Sequence, residues 1–379
     1  MNLDLILSGG RVVDPSQGID KNIEIGVHGQ RIAALGDDLP RCGKTRVLDC
    51  RNLLLTPGLI DMHTHVYPGA TPLGLIADEV MLQSATTTIV DAGSSGAANW
   101  LGLRDQVIAR AHPQVLALIH LCTVGLAPCH YTGELLSPHL ADPDGAIAII
   151  RQNPTLAVGV KLRAGANIMG AAEIGWRHLH QAVRIARETD TFLMVHIGDT
   201  PMSVSELVRE LAPGDVITHC YKGGPYKQLV LDANNRVFPD LLQAAQAGIV
   251  YDVGHGVGSF SWRVAEIAMD QGLMPTTIST DLHTDSVVGP VYNLPTTMSK
   301  FILLGMSLPE VVECCTIAPA KVIGRQDEIG SLHVGKTADI SMLRLKEGVF
   351  PLTDSYGITR SATQMLTSAG VVRAGRVFA

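Results

Sequence analysis

Eight short apolar runs alternate with helix-like segments between residues 56 and 284 of the chain. The runs mostly lack polar alternation, which is typical of parallel strands that are buried on both faces. Eight strand–helix units within about 270 residues are the period of a (β/α)8 barrel. The predicted strands are residues 56–65, 86–93, 114–122, 156–163, 191–198, 215–220, 248–256 and 276–284.

A doubly wound open sheet is the alternative fold for this pattern. It is disfavoured because no GxGxxG motif follows the first predicted strand. Ser203 and Ser261 are candidate N-cap residues for two of the helices between the strands. Helical stretches are predicted at residues 98–111, 174–188, 204–211 and 262–271.

The two flanks of the chain contain short strand-like runs instead. Ser-Gly-Gly, His-Gly and Cys-Gly turns separate the amino-terminal runs, and two similar runs follow residue 330. We therefore expect an α/β protein in which a (β/α)8 TIM barrel, residues 56–330, is inserted into a small β-sandwich-like domain built from both termini, residues 1–55 plus 331–379. The terminal runs are 3–7, 23–27, 31–34, 45–50, 338–343 and 370–377.

The composition is that of a globular protein and argues against two classes of partner. The 379 residues are 46% hydrophobic and 17% charged, far from the composition of a disordered chain. A net charge of −7 without a basic run, and an aromatic content of 4%, leave little with which to bind nucleic acid. The longest nearly apolar stretch, residues 115–127, is shorter than the ~20 residues of a membrane helix.

The seven cysteines include no CxxC pair, and no secretory leader is evident. We therefore expect reduced, mostly buried thiols in a cytoplasmic protein that acts on a small molecule. The outer helices of a barrel also offer apolar area for a homo-oligomer, although the sequence carries no interface signature.

Histidines lie at the carboxyl ends of three predicted strands. His63 and His65 end the first strand and point to one side, because strand positions i and i+2 share a face. Barrel enzymes place their catalytic groups at this end of the strands. His196 and His219 end the fifth and sixth strands. A surface or supporting pair is the alternative for His63 and His65 taken alone, but the two later histidines favour metal ligands.

A lysine and an aspartate occupy two further strand ends. Lys161 ends the fourth strand, where burial would lower its pKa and favour the neutral amine. A neutral amine can condense with carbon dioxide to a carbamate that bridges two metals; a structural ion pair and a Schiff-base lysine are the alternatives. Asp281 ends the eighth run. His283 and Asp285 compete for its role, and Asp281 is preferred because it directly terminates the apolar run.

This ordered set resembles the amidohydrolase superfamily of (β/α)8 hydrolases, which includes dihydroorotase, dihydropyrimidinase and N-acetyl-sugar deacetylases. The motifs PGLIDMHTH at 57–65 and ADI at 338–340 extend the resemblance to nearly the whole chain. The motifs KLR at 161–163, GDVITHC at 214–220 and DVGHG at 252–256 are similar to the dihydroorotase-like amidohydrolase/deacetylase subgroup. Dihydroorotases usually carry an arginine two residues after the HxH, whereas this sequence has Tyr67.

The resemblance implies a binuclear metal centre, with zinc as the default metal, in a hydrolase of amide or ester bonds. It further implies release of acetate from a small N- or O-acetylated carboxylic acid, with a cyclic amidase of the dihydroorotase or hydantoinase type as the alternative. Asp281 would be the catalytic proton carrier. The implied ligands are His63, His65, carboxylated Lys161 and Asp281 for one ion, and His196, His219 and the same carbamate for the other.

Substrate-binding candidates are fewer. Arg163 lies on the same strand face as Lys161 and is a candidate for binding a substrate carboxylate, with a supporting ion pair as the alternative. His255, between two glycines, and Tyr131, in the loop after the third strand, are further candidates. His130 and Lys222 are weaker ones. Three histidines beside predicted helices are expected to be exposed, namely His112, His178 and His180.

Two other functions would be expected to leave a different set of residues at the strand ends. A non-catalytic scaffold would be expected to lose ligand positions, and all six are filled here. A lysine Schiff-base enzyme that uses Lys161 would not need the histidines.

Overall fold

A computed structural model of the chain describes residues 2–224 and 230–379. In chain order, the strands of this described part are β1 (Leu5–Ser8), β2 (Arg11–Asp14), β3 (Ile19–Asn22), β4 (Glu24–His28), β5 (Arg31–Gly36), β6 (Arg46–Asp49), β7 (Leu54–Pro57), β8 (Leu59–Thr64), β9 (Thr86–Ala92), β10 (Gln114–His120), β11 (Ala157–Ala164), β12 (Phe192–Ile197), β13 (Val216–Thr218), β14 (Val250–Asp252), β15 (Ile340–Thr353), β16 (Thr359–Arg373) and β17 (Arg376–Phe378).

The α-helices of the same residues are α1 (Ala77–Ser84), α2 (Trp100–Leu103), α3 (Pro143–Gln152), α4 (Ala166–Met169), α5 (Ala172–Thr189), α6 (Val204–Arg209), α7 (Pro239–Gln246), α8 (Trp262–Asp270), α9 (Leu294–Leu303), α10 (Leu308–Glu313) and α11 (Ile317–Val322). None of the helices described here is both long enough and apolar enough to cross a membrane.

Strands β8 to β14 form one parallel sheet whose spatial order is the chain order. The chain beyond β14 closes this sheet, because Thr277 forms a parallel bridge to Asp252 and Leu282 forms one to Thr64. The predicted (β/α)8 barrel is therefore confirmed.

The eighth predicted strand, residues 276–284, closes the barrel through isolated bridges rather than as a regular strand. Two local features interrupt its ladder. The Thr280 amide donates to the Asp61 side chain, 3.1 Å away, instead of to a neighbouring carbonyl. Asp281 then adopts a left-handed backbone with φ 50°, which ends extended pairing.

The barrel strands are apolar because both of their faces are covered. One cluster takes residues from all seven strands, including Met62, Leu118 and Met194, and fills the barrel interior. Another joins outward residues such as Leu193 to the helices, including Leu179 of α5. Side chains at the carboxyl ends of the strands therefore lie above a packed apolar interior.

Three predicted helices appear as α5, α6 and α8. Ser203 caps α6 as predicted, since its hydroxyl accepts from the Glu206 amide at 3.2 Å. Ser261 makes no such bond to the described residues of α8; the Trp262 amide donates to Asp354 instead, at 3.2 Å. The predicted helix 98–111 is α-helical only in α2 and continues as a π-helix over Arg104–Ile108.

Two smaller sheets combine strands from both ends of the chain. Their orders are β5-β4-β1-β6 and β17-β16-β15-β7-β2-β3. Residues of both sheets, such as Leu7, Ile25, Met342 and Val372, share one hydrophobic cluster, so the sheets face each other. We propose that they constitute a domain with the boundaries 1–55 plus 331–379.

The carboxyl-terminal hairpin is much longer than the sequence predicts, because β15 and β16 have 14 and 15 residues. Its far part lies against the barrel: the Leu366 amide donates to the Ser299 hydroxyl at 2.8 Å, and the Ser368 hydroxyl donates to the Leu82 carbonyl at 2.6 Å. Its turn, residues 354–358, is called the hairpin tip below.

Candidate active site

A cavity of about 250 Å³ opens at the carboxyl ends of the barrel strands. Its wall brings together most of the predicted site residues. They are His63, His65, Lys161, Arg163, His196, Lys222 and Asp281. His219 lies beside this wall, with its Nε2 atom 2.7 Å from Nδ1 of His196.

Asp281 is the carboxylate at the centre of the cluster. Its Oδ1 atom lies 3.3 Å from Nε2 of His63 and 3.2 Å from Nε2 of His65. Potential ligand atoms of His63, His219 and Asp281 all lie within 4.8 Å of one another. The competing Asp285 instead faces His130, with 3.3 Å between its Oδ2 atom and Nε2 of the imidazole.

Two residues of the cluster have unusual backbones, since φ is 70° at His219 and 50° at Asp281. Left-handed conformations at residues other than glycine are uncommon and concentrate at functional sites. In both residues this conformation falls where an extended run ends.

Lys161 is fully buried beneath the cluster. Its Nζ atom lies 3.0 Å from Nε2 of His63 and 3.4 Å from the sulfur of Met194. Burial lowers the pKa of Lys161 to about 7, so that a large fraction of the amine is neutral near neutral pH. Gly93 makes room for this side chain, since a Cβ atom there would lie 2.7 Å from Cβ of Lys161.

Hydrogen bonds fix which nitrogen carries the proton in two of the buried imidazoles, those of His63 and His219. Nδ1 of His219 donates to the Gly254 carbonyl at 2.6 Å. Nδ1 of His63 lies 2.8 Å from the Thr218 hydroxyl, which donates its own proton to Asp252 at 2.7 Å and therefore accepts from the imidazole. In both rings Nε2 is left with a lone pair that faces the cluster.

The ionisation states favour cation binding. Burial lowers the pKa values of His63, His196 and His219 well below the usual range, so these imidazoles are neutral. Burial alone would raise the pKa of Asp281, but the surrounding histidines, with His65 as a hydrogen-bond donor, outweigh burial and hold this pKa well below the ordinary value. Neutral imidazoles beside an ionised carboxylate are a donor set that divalent metals bind.

The predicted substrate-binding residues fall in different places. Arg163 lines the cavity, but in the described part of the chain the wall includes neither Tyr131 nor His255. Tyr131 is 85% exposed. His255 is fully buried, and its Nε2 atom accepts a hydrogen bond of 2.6 Å from Nζ of Lys300.

Two buried partners of the predicted residues were not expected from the sequence, namely Glu134 and Lys300. Glu134 binds Arg163, and Lys300 also donates to the Thr353 carbonyl at 2.7 Å. The expectation that His178 is exposed is wrong, because its ring is buried and Nε2 lies 3.2 Å from the Leu135 carbonyl.

A larger depression of about 820 Å³ lies at the opposite end of the barrel, beside Phe192 and Asp215. Asp215 is bound there by Arg187. This amino-terminal end is the stabilising face of such barrels, and the histidine cluster is at the other end.

The Amidohydrolase family model matches residues 241–377. The chain is 36% identical over 327 residues to deacetylase Atu3266 of Agrobacterium fabrum, an alignment that covers 86% of this chain and 79% of the relative. It is 30% identical over 381 residues to a deacetylase of Enterococcus faecalis, with 100% of both chains covered. The chain belongs to the amidohydrolase family.

Solved structures extend this likeness to the whole fold. The amidohydrolase superposes on the crystal structure of a dihydroorotase with a TM-score of 0.89 and 33% identity, covering 99% of this chain and 97% of that chain. It superposes on the crystal structure of an adenine deaminase with a TM-score of 0.91 and 30% identity, covering 100% of both. The predicted family and fold are confirmed.

Membership makes the chain a hydrolase that acts on amide bonds. The family typically uses metal ions, and this amidohydrolase has a His/His/Asp cluster with suitable spacing.

Proposed function

We propose that this amidohydrolase releases acetate from a small N- or O-acetylated carboxylic acid, with two divalent metal ions bound at the carboxyl end of the barrel. The observation that carries the proposal is the convergence of the strand-end histidines, Lys161 and Asp281 at one cavity of about 250 Å³, a volume suited to a small substrate. The two deacetylase relatives, 36% and 30% identical, support the choice of an acetyl group.

In this proposal Lys161 would be carboxylated and would supply carbamate oxygens as ligands for both ions. Its neutral fraction near pH 7 supports this modification, because the reaction with carbon dioxide needs the free amine. Zinc is the proposed metal, since imidazole and carboxylate oxygen are donors that zinc accepts. The proposed ligands are His63, His65, the Lys161 carbamate and Asp281 for one ion, and His196, His219 and the carbamate for the other.

Once bound, the two ions supply an activated water molecule and polarise the scissile carbonyl. Asp281 takes the proton from the attacking water on a carboxylate oxygen and passes it to the departing nitrogen or oxygen. Its ionised state, with Oδ1 near Nε2 of His63 and of His65, supports this role. The products are acetate and the free amine or alcohol.

A cyclic amidase is the second candidate, supported by the likeness to a dihydroorotase structure at a TM-score of 0.89. Tyr67 weighs against dihydroorotate as the substrate. Its hydroxyl donates to the Asn99 carbonyl at 2.9 Å, so this side chain packs against the start of α2. The position at which dihydroorotases usually carry an arginine is thus used for packing here.

The proposed location is the cytoplasm. All seven cysteines lie among the described residues as free thiols, and free thiols suit a reducing compartment. A small-molecule substrate stays the proposed partner, and a homo-oligomer stays a prediction.

Acetate release by the zinc-loaded protein tests the proposal, across a panel of N-acetyl and O-acetyl acids with dihydroorotate, hydantoins and adenine assayed in parallel. We expect acetate release with kcat/KM of about 10⁴ M⁻¹s⁻¹ or more for at least one acid. Ring opening without acetate release would establish the cyclic amidase instead, and ammonia release from adenine would establish a deaminase.

A further inference from the structure

Besides Lys161, the cavity wall carries two basic side chains, Arg163 and Lys222, and their partners differ. One guanidinium nitrogen of Arg163 lies 3.3 Å from each carboxylate oxygen of Glu134. Glu134 is fully buried. Burial opposes its ionisation, but contacts with His120 and Arg163 hold the pKa of Glu134 below its usual value. The positive charge of Arg163 is therefore balanced within the protein.

Among the described residues, Lys222 has no such carboxylate partner. Its ammonium donates to the Ser259 hydroxyl at 3.2 Å. Across residues 2–224 and 230–379, no carboxylate oxygen lies within 4.0 Å of its Nζ atom, and residues 225–229 contain neither Asp nor Glu. An ammonium has three donors, and among the described residues only the Ser259 hydroxyl accepts from it, in a partly buried cavity where an uncompensated charge is costly.

Hydrogen bonds from the hairpin tip hold the loop that carries Lys222. The Tyr356 hydroxyl accepts from the Gly223 amide at 3.0 Å and lies 2.9 Å from the Gly258 carbonyl. Gly223 follows Lys222 and Gly258 precedes Ser259, so one hydroxyl joins the loops that carry the lysine and its partner. This bracing holds an ammonium in place before any ligand arrives.

We propose that Lys222 is the specificity-determining residue of this site and binds the carboxylate of the acylated acid. This inference rests on the proposed function and names the residue that recognises the free carboxylate of its substrate. The carboxylate supplies the negative charge that no described residue places beside Lys222, and it accepts hydrogen bonds from the ammonium. Arg163, already paired, shapes the wall without holding the substrate's charge.

The test compares an acetylated acid with its neutral primary amide as substrates. Wild type should prefer the acid by about 10- to 100-fold in kcat/KM, the range expected of one charged hydrogen bond. Lys222→Met should lose about 10- to 100-fold on the acid, mainly through KM, and at least about ten times less on the amide. Lys222→Arg, which keeps the charge, should recover part of the preference.

Arg163→Met is the matched control, because it removes the other cation of the same wall. It should change kcat/KM for acid and amide by similar factors and so leave their ratio near the wild-type value. The double variant Glu134→Gln/Arg163→Met keeps this pair neutral if the single variant folds poorly. Inhibition by the deacetylated acid gives a second readout, whose inhibition constant should rise in Lys222→Met.

The inference is overturned while the deacetylase stands if wild type releases acetate without preferring the acid, or if Lys222→Met loses kcat/KM equally on both substrates. Loss of the acid preference in Arg163→Met would also overturn it and move the carboxylate to Arg163. Acetate release from neither substrate by wild type would instead overturn the proposed function, and this inference with it.

Discussion

The two halves of the cavity are built in different ways. One half contains His63, Lys161 and Asp281. These residues lie at strand ends and on the segment that closes the barrel, above the apolar cluster that fills the barrel interior. The other half contains Lys222 and Ser259, which lie on the loops after β13 and β14. The hairpin tip, far away in sequence, forms hydrogen bonds to these loops. In our proposals the chemistry belongs to the strand-end half and the choice of substrate belongs to the loop half.

The strand-end half follows from local sequence. Apolar runs locate the strands, and the polar residue that ends each run locates the cluster; the run 86–93, for example, is the strand Thr86–Ala92. The spacing of His63 and His65 predicts that both side chains lie on the same face of the strand, and both rings contact Asp281. The eighth strand could not be predicted as a bridge-only segment, because its interruption depends on the buried Asp61.

The loop half depends on contacts that sequence spacing does not encode. Tyr356 meets Gly223 across 133 residues, and Arg163 meets Glu134 across 29. The hairpin that carries Tyr356 has an exposed stretch around Glu347 and lacks a clear alternating pattern. The length of this hairpin, and the contacts of its tip with the Lys222 loop, therefore could not be predicted from the sequence.

Lys161→Met should have the largest effect, because it removes the proposed bridging ligand. We expect loss of bound metal and a fall in kcat/KM of about 10³-fold or more. Metal content by mass spectrometry and the acetate assay measure both. Lys222→Met, a lysine lost from the other half, is the control and should keep its metal; full metal content and activity in Lys161→Met would break the comparison.

Asp281→Asn should come next, since the amide cannot take up the proton. We expect kcat to fall by about 10²- to 10⁴-fold, with KM changed far less. The acetate assay on metal-loaded protein measures this loss. Near-normal turnover with metals bound would move the proton carrier elsewhere, with Asp285 as the first alternative to test.

Glu134→Ala should affect stability, because it leaves Arg163 without its buried partner. We expect a loss of about 2–4 kcal/mol in the free energy of unfolding, measured by urea denaturation. In a double-mutant cycle with Arg163→Met the losses should be clearly less than additive. Additive losses would show that the two side chains do not stabilise each other.

Tyr356→Phe should have the smallest effect and sharpen the contrast between the halves. Loss of one hydroxyl should cost about 0.5–1.5 kcal/mol of stability. It should raise KM for the acid by about 3- to 10-fold and leave kcat nearly constant. Tyr131→Phe, a change on an 85% exposed side chain, is the control for both readouts. A change confined to kcat would place the hairpin tip in the chemistry instead.

The most direct test of the division between halves is anomalous diffraction at the zinc edge, from crystals of zinc-loaded protein grown with the deacetylated acid. The account predicts two zinc peaks flanking a carboxylated Lys161, one beside His63 and His65 and the other beside His196 and His219, with the acid's carboxylate on Lys222. An unmodified Lys161 amine without zinc at these histidines, in crystals of an active preparation, would contradict it.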